Sequence, residues 1–114
     1  MSRQEKAKLI ASLHELWCTG EFALIPLVYF TGFVASMSKG WERSEYRGHS
    51  GIRDATVRMR QVFSEWNEAI HDLIIDGDKV VTRYVSTGIH TGPFISQSPT
   101  KRSIMTDEMS ISRV

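Results

Sequence analysis

The chain has a single cysteine, Cys18, so it has no second thiol for an internal disulfide or a cysteine metal cluster. A lone thiol of this kind suits a buried or half-buried small apolar residue in a reducing compartment. Proline is scarce, at three in 114 residues, and there are no internal repeats or low-complexity tracts, so nothing marks a linker between two domains. An excess of one charge is missing as well. The formal net charge of +1 supplies no long-range field to gather nucleic acid or an acidic membrane. Arg53, Arg58 and Arg60 are interleaved with Asp54 and apolar positions, which argues against an arginine-rich recognition surface. The longest apolar run, Phe22 to Phe30, carries Pro26 and is too short to span a bilayer. No signal-peptide core follows the polar start Met1-Ser2-Arg3-Gln4-Glu5-Lys6, and a cytoplasmic location is expected by default. What remains is 41% apolar and 24% charged, the composition of an ordinary globular domain, with length for one core over residues 1–114.

The most informative stretch runs from Asp72 to Gly92. Leu73-Ile74-Ile75 and Val80 to Ile89 are β-rich arms on either side of Asp76-Gly77-Asp78, and an Asp-Gly pair between such arms signals a tight hairpin turn. Strand side chains alternate, so Val80, Thr82, Tyr84, Ser86, Gly88 and His90 share one face of the second arm. Val81, Arg83, Val85, Thr87 and Ile89 share the other. One mixed face and one mostly β-branched face fit an antiparallel sheet, with the mixed face lining a pocket or meeting water.

Gln4 to Trp17 places Leu9, Ile10, Leu13, Leu16 and Trp17 at helical intervals, with Ser2 and Glu5 forming a capping box and Thr19-Gly20 a stop. His14 sits beside this stripe and reads as a surface or packing histidine. A second, shorter helix is expected over Glu21–Tyr29, interrupted near Pro26, followed by an extended segment from Phe30 to Met37. Ser38 to Glu45 reads as loop, leaving Trp41 and Tyr46 either to close over a pocket or to pin the loop to the body. Gly48 to Ser64 reads as a third helix capped by Ser50, and Trp66 to Ile75 as the first hairpin arm. Pro93 to Thr100 is a loop, and Arg102 to Val114 a last strand. There Ile104, Thr106, Glu108, Ser110 and Ser112 point one way, and Met105, Asp107, Met109, Ile111 and Arg113 the other. Helices first and antiparallel strands after them predict an α+β domain whose helices cover one face of a curved sheet.

Several fragments, in their order, carry a resemblance. They are Tyr46-Arg47-Gly48-His49-Ser50-Gly51-Ile52-Arg53, then Ile74-Ile75-Asp76-Gly77-Asp78-Lys79-Val80-Val81-Thr82-Arg83-Tyr84. Gly88-Ile89-His90-Thr91-Gly92-Pro93-Phe94 follows, then Pro99-Thr100-Lys101-Arg102 and Ile111-Ser112-Arg113-Val114. Together they resemble the SnoaL-like polyketide cyclase or ester-cyclase family, of the nuclear transport factor 2-like superfamily. The resemblance implies a cone-shaped α+β barrel, with N-terminal helices packed on a strongly curved, mainly antiparallel sheet around an apolar pocket. It also implies a cofactor-free protein, often a homodimer paired through the sheet, that acts on a small apolar polyketide-like or ester molecule by cyclase, isomerase or lyase chemistry. The superfamily also holds non-catalytic binding domains, so a ligand-binding or dimerisation role stands as the alternative.

An aldol closure needs a group to remove a proton beside a carbonyl and a donor to hold the enolate oxygen. His90 matches the family's motif histidine and is the expected acid/base, with Glu108 as partner acid and Asp107 as substitute if a bulge shifts the register. Tyr84, Ser86, Trp41, Tyr46 and Phe94 are the expected substrate contacts. Arg83 faces away from His90 by parity, which favours a structural or interface ion pair. No metal site is expected, since His14, His49, His71 and His90 fall on different elements. Departures from the family are also visible. Phe33-Val34-Ala35-Ser36 stands where members often carry aspartate and histidine after the phenylalanine and valine, and Ser110 stands where many carry an acid. The family commonly continues past Val114 into another strand, so a domain lacking that strand and an open sheet edge are expected.

Overall fold

Helix α1, Arg3–Thr19, starts where the sequence supplies a reciprocal cap. The Glu5 backbone N–H donates to Ser2 Oγ at 3.0 Å, and the Ser2 N–H donates to Glu5 Oε1 at 3.1 Å. Gly20 ends the helix in the left-handed conformation (φ 72°), its N–H returning to the Leu16 carbonyl. The computed structural model describes residues 1–37, 39, 41–94 and 97–114. The loop expected at Ser38 and Gly40, and the part of the Pro93–Thr100 loop at Ile95 and Ser96, lie outside the described residues.

A 3₁₀ turn, Phe22–Leu24, leads into the four-residue helix α2, Ile25–Val28. Pro26 was expected to interrupt a longer helix. It lies instead in the first turn, where a missing N–H costs nothing because no intrahelical partner exists there. Strand β1, Val34–Ser36, lies in the segment expected to be extended and pairs antiparallel with β2, Glu45–Arg47, which begins at the end of the stretch read as loop. Helix α3, Gly48–Val62, has Arg47 rather than Ser50 at its N-cap, and no side chain caps it.

Strand β3, Phe63–Asp76, follows α3 without a loop and starts earlier than the hydrophobic pattern suggested. It pairs with β4, Lys79–His90, through a two-residue turn at Gly77-Asp78. Gly77 takes φ 59°, the positive value that the first position of such a turn requires and that glycine adopts cheaply. Strand β5, Ser103–Arg113, pairs antiparallel with β4 and gives the order β3-β4-β5. The sheet is therefore open, and the expected barrel is not closed.

The helices cover the face of β4 that carries Val80, Thr82, Ser86 and His90, all buried. Leu16, Ile25 and Ile52 form the centre of the core, with Trp17, Phe22, Leu24, Tyr29 and Phe33 packed around them. Cys18 is half-buried, and burial pushes its thiol pKa up. Among the described residues no helix is long and apolar enough to cross a membrane.

Candidate active site

One cavity of about 680 Å³ lies between α1 and the sheet. Leu9, Ile10, Leu13, His14 and Trp17 of α1 recur along one helical face and form its roof. Tyr29, Phe30 and Phe33 beyond α2, together with Met59 of α3, add apolar wall. The sheet supplies most of the polar atoms, through Glu68 of β3, Tyr84 of β4, and Glu108, Ser110 and Ser112 of β5.

Two hydrogen-bonded groups stand side by side on this wall. His14 Nδ1 meets Glu68 Oε1 at 2.6 Å, and both side chains are more than nine-tenths buried. Trp66 Nε1 donates to the other carboxylate oxygen, Oε2, at 2.8 Å. The second group is Glu108, which faces Tyr84 across β4 and β5 and accepts from Ser86 Oγ. The rings of His14 and Tyr84 touch, with centroids 4.4 Å apart. Burial, and then the neighbouring Glu108 carboxylate, push the Tyr84 phenol well above its ordinary pKa, so it stays protonated at neutral pH. Burial likewise raises Tyr29, whose hydroxyl accepts from Trp17 Nε1 at 3.1 Å.

The residues expected at the site divide. Tyr84 and Glu108 line the cavity. Ser86 lies behind it, fully buried, and reaches the site only through Glu108. His90 is not on the cavity wall. Its ring packs on Phe63 at 5.7 Å, and Nδ1 accepts from the backbone N–H of Thr100 at 3.2 Å and contacts Thr100 Oγ1 at 3.0 Å. Its residue also exchanges backbone hydrogen bonds with Lys101 and Arg102, so the imidazole fastens the end of the loop to the end of the strand. Asp107 lies on the opposite face of β5, 3.5 Å from Arg83, and β5 runs without a bulge that would turn it inward. Tyr46 is a core residue, 2% exposed, with the Arg43 guanidinium stacked 4.1 Å from its ring centroid. Trp41 packs edge-on to Tyr46 and Phe94, and this aromatic group stands apart from the cavity.

The residues that sequence reasoning passed over are His14, Glu68, Trp66, Trp17 and Tyr29. For His14 a signal existed: it falls four residues after Ile10 and one after Leu13, inside the apolar stripe rather than beside it. Among the described residues no cluster of three His, Cys, Asp or Glu could hold a metal ion.

A model of the SnoaL-like polyketide cyclase family matches residues 7–114. The chain belongs to this family. No curated protein matches it in sequence. Among solved structures, TsrD from Streptomyces laurentii is similar with a TM-score of 0.84 at 19% identity, over 100% of this chain and 81% of that one. IdmH from Streptomyces antibioticus, a candidate polyketide cyclase, gives a TM-score of 0.76 at 22% identity, over 95% of this chain and 81% of that one. AclR from Streptomyces galilaeus, a candidate hydroxylase, gives 0.77 at 17% identity, over 99% and 72%. At these identities the likeness is one of fold.

Proposed function

We propose that this family member performs cofactor-independent acid–base chemistry of the cyclase, isomerase or lyase kind on an apolar, carbonyl-bearing molecule of polyketide or ester type. The observation that carries the reading is an apolar cavity in which His14, held by Glu68, stands beside Tyr84, which faces Glu108 across the strands. The roles follow from which atoms are already committed. With the Nδ1 proton donated to Glu68, His14 keeps Nε2 as the acceptor that removes a proton beside a carbonyl. Tyr84, held protonated, donates to the enolate oxygen as charge develops there. Glu108 accepts from Ser86 Oγ and faces the Tyr84 phenol, and the proton taken up by His14 Nε2 returns from the same atom to the product. In this reading His14 takes the part given to His90, and Glu108, expected as partner acid from its face of the last strand, supports Tyr84 instead.

The reading is tested without knowing the natural substrate. An aromatic β-keto ester is incubated with the protein in D₂O, and deuterium entry at the carbon between the carbonyls is followed by NMR. Exchange should exceed the buffer rate, and His14→Gln should lower it by about 10²-fold or more, the usual contribution of a positioned base. His90→Ala should leave exchange unchanged. Equal exchange with and without His14 would remove the base assignment. If no probe exchanges above buffer while an apolar probe still quenches tryptophan fluorescence, the domain is a binder, the reading that Ala35, Ser36 and Ser110 favour.

We also propose a homodimer through the outer face of the sheet. Met105, Met109 and Ile111 on that face of β5 are 78%, 69% and 70% exposed, an apolar strip that a partner would bury. A monomer mass by light scattering at micromolar concentration would count against it.

A further inference from the structure

Strand β3 carries an irregularity where it leaves α3. Ser64 pairs with Ile89 and Asn67 with Thr87, so Glu65 and Trp66 together oppose the single residue Gly88. Glu65 takes φ 53°, the left-handed region that a non-glycine residue enters only at a cost. The extra residue has a consequence for parity. In an unbroken ladder, Glu68 would oppose Val85 and point to the outer face of the sheet. With the bulge it opposes Ser86 and points to the cavity face. Trp66, two residues before it, comes to the same face and lines the same cavity.

Both oxygens of Glu68 are then taken, one by His14 Nδ1 and one by Trp66 Nε1. The backbone of Glu68 is held as well, its N–H donating to Cys18 Sγ at 3.1 Å on α1. We propose that Trp66 is a positioning residue of this site: its indole N–H, delivered by the bulge, fixes the Glu68 carboxylate and through it the orientation and basicity of His14. The proposal rests on His14 and Glu68 being the proton-transfer pair, but its test does not require turnover. A carboxylate that receives an N–H from tryptophan has its charge shared between two donors. Removing that N–H leaves the full charge to His14 and favours the imidazolium. The other titratable groups facing His14 are Tyr84 from β4, Glu108 from β5 and Tyr29 beyond α2. None of them bonds to Trp66 among the described residues, so removing the N–H reaches His14 through Glu68.

The experiment is an NMR titration of the His14 ring nitrogens in the full chain. Trp66→Phe keeps an aromatic ring in place and removes the donor. It should raise the His14 midpoint by about half a pH unit or more, and should displace the pH profile of β-keto ester exchange in the same direction. In a Glu68→Gln background the same change should do nothing to His14. A second measurement covers the case in which Trp66→Phe folds poorly. The indole N–H signals of Trp17, Trp41 and Trp66 are compared before and after Glu68→Gln, and the Trp66 signal should move most. A His14 midpoint unmoved by Trp66→Phe, or a Trp66 indole signal unmoved by Glu68→Gln, would overturn the proposal. A shifted midpoint with no exchange activity in any variant would keep the positioning role and remove the proposed reaction instead.

Discussion

Gly88→Ala separates two opposing effects at the residue facing the bulge. Gly88 has an ordinary backbone conformation, so by propensity alone an added methyl should help. A glycine inside a strand loses about 0.5–1 kcal/mol to chain entropy, and a buried methyl gains about 0.8 kcal/mol. The structure reverses this expectation. A Cβ at position 88 would stand 3.0 Å from Trp66 Cε3 and 3.2 Å from Phe63 Cβ, with the Ser64 carbonyl oxygen at 3.4 Å. Overpacking of this kind costs roughly 1–3 kcal/mol. If Trp66 swings away to relieve it, the hydrogen bond to the Glu68 carboxylate goes too, at about 1.5–3 kcal/mol for a charged acceptor. The losses exceed the gains, and a net destabilisation of about 1–3 kcal/mol is expected. Urea denaturation followed by tryptophan fluorescence gives the number directly, and thermal melting should show a fall of roughly 4 °C per kcal/mol in a chain of this size. A Gly88→Ala protein as stable as the parent, or more stable, would refute the claim that this glycine exists to admit the indole.

Three further expectations follow from the packing and the pKa directions. Leu16→Ala, at a fully buried core position beside Ile25 and Ile52, should cost about 2–5 kcal/mol in urea denaturation. Absorbance titration near 295 nm should find Tyr29 and Tyr84 still protonated at the pH where an ordinary phenol is half ionised. Because both are raised on folding, the folded chain binds more protons above that pH. The contribution of these two phenols should therefore be level below about pH 10 and decline above it, and a midpoint that rises between pH 10 and 11 would contradict this. Met109→Lys on the outer face of β5 should yield a monomer in light scattering with the fold intact by circular dichroism, while a retained dimer would place the interface elsewhere.

Much of the architecture could be read from local signals. Ser2 with Glu5, Gly20, and the Gly77 turn each impose a conformation through a few neighbouring residues, and strict alternation in β4 and β5 sorted their faces correctly. The site was less legible, for two reasons. His14 and Glu68 are 54 residues apart, and nothing local indicates that a helix will carry one over the other. Drawn back from the hairpin without interruption, β3 would set Glu68 opposite Thr87 and turn it outward; a register shift between Ile70 and Asp72 brings it to Ser86 and the cavity, and the bulge at Glu65-Trp66 shifts the ladder again before α3. His90 drew attention by its place in the family's motif and its shared face with Tyr84. That face is long, however, and the cavity occupies the part near Tyr84, while the His90 part is closed by Phe63 and Thr100.

His14 rides on the helical layer and Glu68 on the sheet, so the pair exists only while the two layers stay in register. A slip of α1 along the strands would part the imidazole from its carboxylate long before the protein lost its shape. Warmed gently, such a molecule should lose the proposed proton transfer while still looking native.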